Sequence, residues 1–161
     1  MAATEPDEPR WLTADEQRCW RAYRDGTFLL LRALARELEE GSGLSLHEYE
    51  VLVRLSEAPG RTLRMSELAA DVTHSRSRLT HTIGRMEAAG LVVRVPCPQD
   101  ARGVNCALTP AGWERLVTAA PSHVASVRTH LVDVLSAAQL AALGAAMGAV
   151  AEHARDVVAL G

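Results

Sequence analysis

The chain has 161 residues, enough for one ordinary domain with an extended helical arm, and its 48% apolar content supplies a core, which excludes disorder along its whole length. No run approaches the roughly 18 uninterrupted apolar residues of a membrane span. A net charge of −3 excludes a uniformly basic, polyanion-coating protein.

Residues 1–13 open with "MAATEPDEPRW", acidic and proline-containing, unlike an export signal, and are expected to be flexible. From Ala14 to Glu40, Cys19, Tyr23, Thr27, Leu30, Leu34 and Leu38 recur three or four apart, which predicts a long amphipathic helix ending at Gly41-Ser42-Gly43. In "SLHE", Ser45 and Glu48 have capping-box spacing and start a helix whose apolar residues are Tyr49, Leu52, Val53 and Leu55, ending at Ala58-Pro59-Gly60. "RTLRM" allows one short strand-like bridge, after which Ser66 can cap the short helix "ELAADV". A turn at "THS" and an N-cap at Ser75 lead into "RSRLTHTIGRMEAAG", with Leu79, Ile83 and Met86 as its core stripe and Gly90 as its stop. At 100° per residue, Ser77 and His81 fall nearly opposite that stripe, flanked by Arg78, Thr80, Gly84 and Arg85.

"LVVRV" and "VNCALT" read as two strands joined by the long tip "PCPQDARG", stiffened by Pro96 and Pro98, with Gly103 permitting the chain's return. Thr109 and Pro110 make an N-cap and first helical residue, opening a helix through Leu116, Val117, Ala120, Val124, Val127 and Leu131 that Pro121 should kink. Ser136 and Gln139 form another capping pair, and Leu140, Leu143, Met147, Val150, Ala154 and Val157 follow as a seam of the kind that packs on another helix.

Charge is unevenly distributed along this order. Residues 1–60 carry seven arginines against twelve acids, whereas residues 73–105 carry five (Arg76, Arg78, Arg85, Arg94 and Arg102) against Glu87 and Asp100 alone. All 17 basic residues are arginine, which suits forked contacts to phosphates and bases, although a GC-rich genome produces the same bias. A short helix, a turn, a second helix with a cationic outer face and a β-hairpin make residues 45–109 a winged helix-turn-helix, a DNA-binding lobe. The fold expected is therefore mainly α with a small β-hairpin wing, and residues 14–44 and 110–161 form its helical dimerisation region.

The stretches "LSLHEYEVLVRLSEAPG", "RMSELAADVTHSRSRLTHTIGRMEAAGLVVRVPCPQDARG" and "ALTPAG" resemble the MarR-type, multiple-antibiotic-resistance transcriptional regulators, over about residues 14–158. The resemblance implies a homodimer with interlocked terminal helices, wings that reach minor grooves, and repression of an inverted-repeat operator relieved by a small molecule or oxidant. It places DNA contacts at Ser75, Arg76, Ser77, Arg78, Thr80, His81 and Arg85, and in the wing at Asp100 and Arg102, with Arg94 nearby in the same basic stretch. A guanidinium at a wing tip can enter the narrow, negative minor groove while a carboxylate two residues earlier holds its fork. A small-molecule inducer would sit between dimer arm and DNA-binding lobe, against Trp20, Tyr23, Leu46, Tyr49 and Leu63.

Three cysteines without CxxC spacing fit reduced thiols and, with the absence of a span, a cytoplasmic location. Cys19 beside Trp20 and Tyr23 leaves a thiol-responsive regulator open, and Cys97 and Cys106, flanking the wing, could face each other. Six histidines leave a metal-responsive one open, although none forms an HxxxH pair. A winged-helix adaptor for proteins would carry an acidic or apolar outer helix face, unlike Arg78, His81 and Arg85. Without GxSxG, P-loop or GxGxxG motifs, neither an enzyme nor a cofactor is expected.

Overall fold

The computed structural model describes residues 9–71, 76–97 and 100–159. The helices are α1 (Ala14–Ser42), α2 (Leu46–Glu57), α3 (Met65–Asp71), α4 (Arg76–Ala88), α5 (Pro110–Val127) and α6 (Ala137–Ala159), and the strands are β1 (Thr62–Arg64), β2 (Val92–Cys97) and β3 (Asp100–Leu108). The strands form one antiparallel sheet in the order β1-β3-β2. Among the described residues no single helix is long and apolar enough to cross a membrane.

Local chemistry sets most boundaries. Thr13 and Glu16 form a capping box at the start of α1, a signal the sequence reading passed over, and Ser45 and Glu48 form the expected one on α2. Gly43, at φ 66°, ends α1 in the left-handed region. At the end of α4, Gly90 N–H donates to Glu87 and Leu91 N–H to Met86, the paired bonds of a Schellman turn around a glycine at φ 71°.

Three expectations are corrected. The short third helix starts at Met65, so Ser66 lies inside it; the Glu67 carboxylate instead accepts the Arg64 N–H at 3.2 Å. The wing tip is shorter than "PCPQDARG": β2 runs on through Pro96 to Cys97 and β3 begins at Asp100, with an irregularity in register between Pro96 and Cys97. Pro121 lies inside α5, which stays helical to Val127 and then passes into a π turn at Arg128–Val132. Gly103 has no positive φ; it is needed because a Cβ there would meet Arg64 Nη2 at 2.8 Å and Cys97 Cβ at 2.9 Å. The turn at "THS" and the cap at Ser75 lie outside the described residues.

The core lies inside the lobe. Leu52 and Leu55 of α2, Leu68 of α3, Ile83 and Met86 of α4 and Val92 of β2 are almost fully buried, and Leu38 of α1 and Leu116 of α5 close it from the arm side. The stripe Leu79, Ile83 and Met86 is therefore what fixes α4 in rotation about its own axis. At the junction of lobe and arm, the Thr109 hydroxyl accepts Gly112 N–H at 3.0 Å and donates to Gly90 O at 2.7 Å, and Gly112 sits against the Leu91 carbonyl.

Outside the lobe the apolar faces stay open. On α1, Thr27 and Leu30 are half-buried and Leu34 and Leu38 buried, but Cys19 and Tyr23 are exposed. On α6, Leu143 and Val150 are 36% and 57% exposed. Large apolar side chains left open on two separated helices, in a chain with a well-filled lobe, are surfaces that a single chain does not cover.

Candidate nucleic-acid interface

Burial of Leu79, Ile83 and Met86 turns Arg78, Thr80, His81 and Arg85 outward, and all four are exposed. Ser75 lies outside the described residues, and Arg76 and Ser77 are placed at the start of α4 without described side chains. The outer face of the second helix of the helix-turn-helix thus consists of two arginines, an imidazole and a hydroxyl in its described part, donors suited to phosphate and base edges.

Two of the arginines in this region already have carboxylate partners. Arg85 lies 3.3 Å from Glu48, whose other oxygen accepts Ser45 N–H at 2.9 Å, so one side chain both caps α2 and holds an arginine of α4. Arg94 of β2 is half-buried; its guanidinium pairs with Glu87, its N–H donates to Glu87 at 3.0 Å, and it reaches the Thr80 carbonyl at 3.4 Å. Within the chain Arg94 is therefore a strut between wing and α4, a role that its position in a basic stretch did not reveal.

At the wing, Asp100 pairs with Arg64, which the sequence reading did not single out. The Cys97 sulfur and then Asp100 both raise the Arg64 pKa, so the guanidinium stays charged. Arg102 is placed in β3, its side chain outside the described residues. Asp100 is thus anchored from the neighbouring strand β1, at the tip of the hairpin that carries Arg102. Cys97 and Cys106 do not face each other: Cys106 is paired across the ladder with Arg94, and Cys97 with Asp100. Both are buried and outside any disulfide, and burial pushes the Cys106 pKa up to about 11, which leaves it an inert core residue. Cys19 is exposed.

The five residues expected around a ligand differ in their surroundings within one chain. Leu46 and Leu63 pack on the core, and Tyr49 is buried with its ring 4.5 Å from that of His123. Trp20 and Tyr23 are 51% and 41% exposed, their rings tilted by 33° with centroids 5.9 Å apart on the open part of α1. Trp20 lies 18 residues before Leu38, a core residue, or about 27 Å along the helix. Among the described residues no group of three or more histidine, cysteine or acidic side chains could hold a metal ion.

Comparison with known proteins points the same way as this geometry. A family model described as MarR family matches residues 42–103, the span from the end of α1 into the start of β3. A MarR family transcriptional regulator from Streptomyces coelicolor, solved in complex with DNA, is 45% identical, with 92% of each chain covered and a TM-score of 0.86. AbsC, another MarR family regulator from Streptomyces coelicolor, is 44% identical over 92% of this chain and 99% of its own, also at a TM-score of 0.86. A curated regulatory protein of Thauera aromatica, assigned to the hcr operon, is 30% identical over 93 residues, 55% of its length. Whole-chain identity at this level, on a winged lobe with a cationic second helix, makes the conclusion a plain one: the chain belongs to the MarR family of DNA-binding transcriptional regulators, a family and fold of regulators and not of enzymes.

Proposed function

We propose that the protein is a homodimeric, cytoplasmic repressor that binds an inverted-repeat operator and is released from it by a small molecule. The observation that carries DNA reading is the division of α4 into a buried stripe of Leu79, Ile83 and Met86 and an exposed face of Arg78, Thr80, His81 and Arg85. Residues 45–109 are the reading lobe, residues 14–44 and 110–161 the dimerisation region, and the open faces of α1 and α6 are where a second chain packs. Two α4 helices related by a two-fold axis would enter successive major grooves, so half-sites should lie about one helical turn apart. A pocket lined by all of Trp20, Tyr23, Leu46, Tyr49 and Leu63 would be closed by the second chain, since Trp20 and Tyr23 stand on the open part of α1.

Selection of bound fragments from genomic DNA with the purified protein tests the reading and names the operator together. It should return an inverted repeat, and unselective recovery would refute operator recognition. With on the order of 6–10 phosphate contacts per dimer, affinity should fall about 10³–10⁵-fold between about 50 and 200 mM salt. Salt-independent binding would contradict it.

The wing makes a separate prediction. Arg102→Ala should weaken binding to operator and random duplex alike and lower the salt slope by roughly one to two per dimer. Asp100→Ala removes a negative charge, so electrostatics alone predicts tighter binding; a positioning role through the Arg64 anchor predicts weaker binding, matched by Arg64→Ala. Fluorescence anisotropy at two salt concentrations decides. Tighter binding by Asp100→Ala at both would end the positioning account.

A further inference from the structure

Between the first turn of α2 and the outer face of α4 lies an open cleft of about 460 Å³, lined among the described residues by His47 from α2 and by Arg78, His81, Thr82 and Arg85 from α4. No acidic residue is in that lining. The nearby carboxylate of Glu48 is only 16% exposed and is engaged by Ser45 and Arg85. Two guanidinium forks and two imidazoles facing one space form a site for an anion rich in oxygen acceptors.

We infer that this cleft seats a phosphodiester of the DNA backbone, and that His47, from outside the reading helix, is a further DNA-binding residue. The inference rests on the reading of α4 as the helix that enters the major groove. A helix in that groove has a strand of backbone passing along its flank, and phosphate contacts there set register without reading sequence. His47 lies on α2 at the rim of that flank, where it meets backbone rather than base edges. A free small anion is the poorer occupant: Arg78, His81 and Arg85 are exposed, and the cleft lacks the enclosure that holds an isolated ligand. A duplex already docked on α4 supplies its phosphate at high effective concentration.

Glutamine at position 47 keeps a hydrogen-bonding side chain without a positive charge, and arginine supplies a fixed one, so the two variants separate a phosphate contact from a packing role.

The test is fluorescence anisotropy of the full-length protein on operator and random duplexes at two salt concentrations, comparing wild type, His47→Gln and His47→Arg. His47→Gln should bind both duplexes about 5–10-fold more weakly. His47→Arg should bind both at least as tightly as wild type, with a salt slope no smaller. Should His47→Gln melt at a lower temperature, His47→Arg carries the test, and its binding like His47→Gln overturns the inference. Equal affinity of His47→Gln and wild type on both duplexes also overturns it. So does a difference that appears only as relief from competition when inorganic phosphate replaces chloride, since that makes the cleft a free-anion site. Failure of the wild type to bind any duplex would instead strike the reading of α4 itself.

Discussion

Arginine in place of Val150 is expected to turn the protein from a dimer at micromolar concentration into monomers. Val150 is 57% exposed in the single chain, so the substitution costs a lone chain little; the penalty arises only when a second chain covers it. A buried, unpaired guanidinium then costs several kcal/mol, enough to shift a dissociation constant by more than about 100-fold. Met147→Arg, one turn earlier and half-buried, should act alike. Loss of the dimer also separates the two reading helices, and operator affinity should drop by about 10²–10⁴-fold through lost bivalency. Sedimentation velocity of wild type and both variants, with far-UV circular dichroism as the folding check, measures the effect. A wild type that sediments as a monomer at micromolar concentration would remove the dimer from the account.

The second large effect is expected at Gly112. A Cβ added there would lie 2.0 Å from the Leu91 carbonyl oxygen and 2.8 Å from Leu108 Cδ1, and the first of these is backbone that cannot swing aside. Accommodating alanine requires α5 to lift off the end of α4, breaking the Thr109 hydroxyl bonds to Gly90 and Gly112. The cost should be about 4 kcal/mol or more, in the range reserved for strain and disrupted networks. For a chain of this size the melting temperature would fall by about 8–16 °C. A thermal melt of Gly112→Ala within about 2 °C of wild type would show that the junction yields more easily than its geometry implies.

How much of this was legible in the sequence follows from the range of the interactions concerned. The α4 stripe and its opposite face were readable because both depend on one helical period. So were the caps at Ser45, Thr109 and Ser136, each set within three residues. Arg94 and Asp100 were not: their partners Glu87 and Arg64 are 7 and 36 residues away, and the pairings depend on how the hairpin lies on α4 and β1. The length of the wing tip was misjudged because prolines at a strand edge read as loop, although a register irregularity lets Pro96 stay in the strand. His47 carries no local signal beyond its place in the capping stretch "SLHE"; only the tertiary fold brings it into a cleft with Arg78, His81 and Arg85.

The carboxylates of Glu48 and Glu87 change what the arginines they hold can contribute. A duplex that displaces mobile ions gains entropy that grows as salt is diluted, but a phosphate that takes Arg85 from Glu48 displaces a charge that cannot leave. The glutamate remains a few ångströms away, and dilution rewards nothing. Salt dependence should therefore fall toward the lower end of what the arginine count allows. What the protein gains is a threshold: a phosphate or base edge in the right place wins the guanidinium from its tethered rival, and one slightly misplaced does not. On random sequence Arg85 and Arg94 would be won from their glutamates less often, so these two add less to non-specific binding than to operator binding.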